Sequence, residues 1–143
     1  MIDHRYFEGI VETRYHGPIG REDSYRHVRH CVTAYGPDVL EIAQYDDDVV
    51  STVTLTEALQ MVERNYALFA AEGAHWTTVY VRSGNPYVEA WIAFIFNQPS
   101  HRTVTRWVAD SYEHAKQLYN DLIESSAAQS HTQISSAVTR SIL

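Results

Sequence analysis

The segment TLTEALQMVERNYALFAAEG, residues 54–73, constrains this chain more than any other. Leu55, Ala58, Leu59, Val62, Tyr66, Phe69 and Ala70 recur at helical spacing, which predicts an amphipathic helix over 55–72. Thr54 with Glu57 forms a capping-box pattern at its start, and Gly73 is a fitting terminator. A helix with one apolar stripe needs an apolar layer to lie on, so the rest of the chain must supply one.

Strand signals supply it. Residues 5–15, 24–35, 39–45 and 49–54 read as strands separated by His16-Gly17-Pro18-Ile19-Gly20, Gly36-Pro37-Asp38 and the aspartate run 46–48, an expected antiparallel meander. After the helix come three further expected strands, 75–82, 87–96 and 102–108, joined by Ser83-Gly84-Asn85-Pro86 and Asn97-Gln98-Pro99-Ser100. A last helix is expected over 111–124, where Asp110 and Glu113 repeat the capping pattern. The fold class is therefore α+β, two antiparallel meanders each followed by an amphipathic helix. Residues 1–125 form one domain, and 126–143, rich in Ser, Thr and Ala, form a C-terminal tail that is loose or docks on a neighbouring subunit.

Composition bounds the function. Apolar residues at 45% and charged residues at 20% suit a globular domain and not a disordered one. A net charge of −7 argues against general nucleic-acid binding, which draws its affinity from Lys and Arg on phosphates. One cysteine, Cys31, allows no internal disulfide and no four-cysteine metal centre. The charged N-terminal stretch and the absence of a long apolar run predict no membrane association and a cytoplasmic location.

In the expected second meander, a tight turn at Gly84-Asn85 would place Trp76, Tyr80, Tyr87, Trp91 and Ile95 on one outward face, with Arg102 and Arg106 beside them. Aromatic rings and arginines are the residues that most often carry binding energy. Trp76, Tyr80, Trp91, Arg102 and Arg106 are therefore the candidate ligand-binding residues, and so large an apolar face predicts a homo-oligomer.

Two strings invite a catalytic reading, His75-Trp76-Thr77-Thr78 and His101-Arg102-Thr103-Val104. Each resembles the His-x-Thr signature of the 2H phosphoesterases, in which two histidines act as acid and base on a phosphodiester while hydroxyls hold its oxygens. The resemblance implies catalytic roles for His75, Thr77, His101 and Thr103. Only 26 residues separate the two histidines, whereas that family places its motifs in different lobes, and Arg102 stands where an apolar residue is expected.

His27, His30 and Cys31 are metal-ligand types, but an extended strand sets His27 and Cys31 roughly 13 Å apart and turns His30 the other way, so no metal and no cofactor is expected. No phosphate-binding glycine loop and no nucleophile elbow is present. The favoured expectation is a non-catalytic binding protein. It would be an accessory or inhibitory protein of the kind mobile elements encode, sequestering a small anionic, nucleotide-like ligand or a partner protein. The small phosphodiesterase and a purely structural or assembly protein are the alternatives.

Overall fold

The computed structural model describes residues 1–125, so the expected tail at 126–143 lies outside the described residues. Helix and strand are mixed, as an α+β chain requires, but there are not two meanders. One five-stranded mixed sheet runs in the order β1-β2-β4-β6-β7, built from β1 (Ile2–Phe7), β2 (Ile10–Tyr15), β4 (Asp38–Tyr45), β6 (His75–Val81) and β7 (Val104–Ala109). Only β1 and β2 are antiparallel; the β2–β4, β4–β6 and β6–β7 pairs are parallel. The short strands β3 (Pro18–Ile19) and β5 (Val50–Ser51) pair with each other beside it.

The hairpin turns on Glu8 and Gly9, with φ of 53° and 82°. Two successive positive values are the signature of a turn whose twist matches the strands it joins. Parallel strands need crossovers, and three helices supply them: α1 (Arg21–Tyr35), α2 (Leu55–Glu72) and α3 (Pro86–Phe96).

Helix α2 forms as its sequence predicts. The Thr54 hydroxyl accepts from the Glu57 N–H at 3.2 Å, and Gly73 takes the left-handed conformation at φ 60°. Its buried side is narrower than the periodicity suggests: Ala58, Val62 and Phe69 are buried, while Leu55 and Leu59 stand exposed.

Two expected strands are helices. Over 24–35 the buried residues are His27, Val28, Cys31 and Val32, a helical stripe whose histidine does not register as apolar. The Asp23 carboxylate accepts from the Gly20 N–H at 3.0 Å and starts the helix. At its end a Cβ on Gly36 would lie 2.4 Å from the Val32 carbonyl oxygen, so only glycine fits. Over 87–96 the run is apolar on nearly every side, which erases any period. The deciding signal is Asn85-Pro86: the Asn85 side chain accepts from the Tyr87 N–H at 2.9 Å, and Pro86 occupies the first helical position, where a missing N–H costs nothing.

Helices α1, α2 and α3 all cover one sheet face, where Val11, Val39, Ala43, Trp76 and Tyr80 meet Val28, Val62, Phe69 and Ile92. A fourth helix, α4, described over 112–125, covers the other face, packing Ala115 and Tyr119 on Ile10, Ile42 and Val79. Tyr119 is wholly buried and its hydroxyl donates to the Glu41 and Thr77 carbonyls at 2.5 and 3.1 Å. Among the described residues no helix is long and apolar enough to cross a membrane.

Candidate functional site

Strand alternation puts Thr13, Glu41, Thr78 and Arg106 on the face beneath α1–α3, one from each of four adjacent strands. Glu41 pairs across the ladder with Thr78, and Thr78 with Arg106. A polar row thus crosses a face that is otherwise apolar. Burying polar groups is costly unless they are hydrogen-bonded, so their partners decide what the row is for.

Glu41 is almost entirely satisfied. One carboxylate oxygen accepts from the Thr13 hydroxyl at 2.8 Å and from His27 Nε2 at 2.9 Å, and the other accepts from the Thr78 hydroxyl at 2.8 Å. The carboxylate fixes the imidazole tautomer: Nε2 carries the hydrogen, and Nδ1 is left facing Cys31 Sγ at 3.8 Å. Burial, then the Glu41 charge, pushes the Cys31 thiol up to about 12, far from the thiolate a nucleophile needs.

Arg106 is placed differently. Its Nη2 donates to the Tyr66 hydroxyl at 2.9 Å, and among the described residues no carboxylate stands within ion-pairing distance of it. Tyr66 in turn stacks on His101, centroids 4.1 Å apart.

Above the row lies a cavity of about 430 Å³ between the sheet and the helices, inside the ~300–1,000 Å³ range of small-molecule sites. Its walls are mainly aromatic and aliphatic, with Tyr15, Tyr45 and Tyr80 from the sheet, Met61, Tyr66 and Phe69 from α2, and Trp91 and Phe94 from α3. Burial pushes the Tyr80 hydroxyl up to about 12, against the pull of Arg106, and burial above all raises Tyr15 and Tyr45 well beyond their usual range. Those three tyrosines are neutral at ordinary pH, and among the described residues Glu41 and Arg106 are the only carboxylate and the only guanidinium or ammonium group on the wall. Asn65 also lines it. Its Oδ1 is the one buried side-chain polar atom among the described residues that has no hydrogen-bond partner.

Four of the five candidate binding residues, Trp76, Tyr80, Trp91 and Arg106, line this cavity, and Arg102 lies exposed outside it, ahead of β7. The outward aromatic face from which oligomerisation was expected does not exist: Trp76 and Tyr80 are buried beneath the helices, and Trp91 reaches the cavity from α3.

The histidines of the phosphodiesterase reading do not converge. His75 bonds the Thr105 hydroxyl at 2.9 Å on the α4 side of the sheet, whereas His101 stacks on Tyr66 of α2 on the opposite side. Thr103 is buried and bonded to His101 at 2.6 Å, and Thr77 shares the face of His75. The two histidines thus have their partners on opposite sides of the sheet.

The sequence reading missed Glu41, Thr13, Thr78, Tyr66 and Asn65. Glu41 alone left a signal, as a carboxylate inside the strand run DVLEIAQY. Comparison with protein-family models, curated proteins and solved structures finds no match to this chain.

Proposed function

We propose that the chain is a non-catalytic binding protein that sequesters a small, mostly apolar monoanion, such as an aromatic or medium-chain carboxylate, in the cavity beneath α2 and α3. The observation that carries this reading is Arg106, a guanidinium on an apolar wall with no carboxylate partner among the described residues. A planar guanidinium offers two parallel donors to a carboxylate, and its attraction strengthens where water is excluded. Rings such as Trp91 and Tyr80 would take the apolar body.

Charge count favours a monoanion over a nucleotide polyphosphate. Among the described residues one cation, Arg106, lines the wall and Glu41 stands on it too, so several phosphate charges would be under-compensated.

Calorimetry with octanoate and phenylacetate, each beside its neutral amide, and with nucleoside mono- and triphosphates tests the proposal. The acids should bind at least ~10-fold tighter than their amides, a difference of about 1.4 kcal/mol. Arg106→Met should erase that preference, and Trp91→Ala should weaken acid and amide alike by ~2 kcal/mol. Tighter binding of triphosphates, no binding of any acid, or an acid preference that survives Arg106→Met would overturn it.

A further inference from the structure

The helix over 21–35 reverses the geometry that kept His27 and Cys31 apart. Four residues along a helix return to the same side, so both side chains point toward β1. There they meet His4. One ligand-type atom from each of His4, His27 and Cys31 lies within 4.8 Å of the other two.

Three features favour a cation. The 3.8 Å between His27 Nδ1 and Cys31 Sγ is close to the edge of a zinc tetrahedron, roughly 3.6 Å for bonds of about 2.0 and 2.3 Å. The second ring nitrogen of His27 is held by the Glu41 carboxylate at 2.9 Å, the arrangement that orients metal-ligating histidines and raises their basicity. The His4 ring is held in place by the Tyr35 hydroxyl, 3.1 Å from Nε2, and Tyr35 stacks on Tyr6.

We propose that His4, His27 and Cys31 form a site for a borderline-soft divalent ion, Zn²⁺ above all. One thiolate with two imidazoles is a donor set suited to zinc and less so to magnesium or calcium. Binding releases the thiol proton to solvent. His4 lies half-buried on the edge strand, so the fourth position is open to water. The site is separate from the proposed carboxylate cavity, although Glu41 borders both.

The test uses the full chain without a histidine tag, stripped with chelator and titrated with Co²⁺. Wild type should bind one equivalent, with sulfur-to-cobalt charge-transfer absorption and the intense visible bands of a tetrahedral ion, both bleached by Zn²⁺. Cys31→Ser should lose the charge-transfer band. His4→Ala, on an edge strand where folding is least at risk, should weaken binding by at least ~10-fold with circular dichroism unchanged. His30→Ala, an exposed neighbour whose ring centre is 5.1 Å from that of His4, should bind like wild type. No cobalt spectrum in the wild type, or wild-type affinity in His4→Ala, would overturn the assignment; so would loss of binding in His30→Ala alone.

Discussion

His27 Nε2 lies 2.9 Å from a Glu41 carboxylate oxygen, and both side chains are closed to solvent. Because Thr13 and Thr78 donate to the same carboxylate, removing it takes the acceptor from three buried polar groups at once, of which only Thr13 and His27, 3.3 Å apart, keep each other as partners. Glu41→Ala should therefore cost about 3 kcal/mol or more, each unpaired buried group contributing roughly 1–3 kcal/mol. Glu41→Gln keeps one acceptor oxygen and should cost less. Urea unfolding of the two variants measures the difference. Equal midpoints would mean that the carboxylate does not organise the row.

Phe69 and Leu59 sit on one helix with opposite fates. Phe69 is buried and stacks on Trp76 at 5.7 Å, whereas Leu59 is 44% exposed. Phe69→Ala should cost ~3–5 kcal/mol, as ring deletions in a core do. Leu59→Ala should stay within about 0.5 kcal/mol of wild type. Thermal unfolding of both separates the true buried stripe of α2 from the one its periodicity suggests.

A third test concerns pH. Burial pushes the Glu12 carboxyl up, but the Tyr112 hydroxyl and then the Arg5 guanidinium outweigh it and hold it below the usual range. A carboxyl lowered by folding adds stability that is present above its unfolded value and disappears as pH falls through the folded value. Tyr112→Phe should thus be less stable than wild type by roughly 1.5 kcal/mol at neutral pH, the contribution of a hydrogen bond to a charged acceptor. The gap should close as acid protonates Glu12. A gap that stays constant into strong acid would assign the effect of Tyr112 to packing instead.

What the sequence revealed depended on whether an element carries a two-sided pattern. Helix α2 does, and its caps at Thr54 and Gly73 are explicit. Strand β6 places Trp76 and Tyr80 on one side by simple alternation, and Arg106 follows the same rule on β7. The β6–β7 register, Thr78 opposite Arg106, brings those three residues to one face. Trp91 reaches them from a helix that has no readable period, because PYVEAWIAFIF is apolar almost throughout. Parallel pairing was illegible for a related reason: with 24–35 and 87–96 taken as strands, no crossover helices remained and only hairpins could join what was left. The polar row left almost no trace, since Thr13 and Thr78 pass as ordinary strand residues and their bonds to Glu41 span 28 and 37 positions.

In the sheet, β2, β4, β6 and β7 lie side by side in the order in which they occur along the chain. Each strand leaving the ribosome therefore finds its neighbour already made, and no slot has to be held open for a segment still to be synthesised. Growth can proceed at a single advancing edge, with each pairing closing a loop only one helix long, the kind of short-range contact that costs least to form. The exception is α4. Until it emerges, Ile42 and Val79 are covered on neither strand-to-helix crossover and face water on that side of the sheet. The nascent chain is thus most open to aggregation in the interval between β7 and α4, the last stretch of the described residues to be translated.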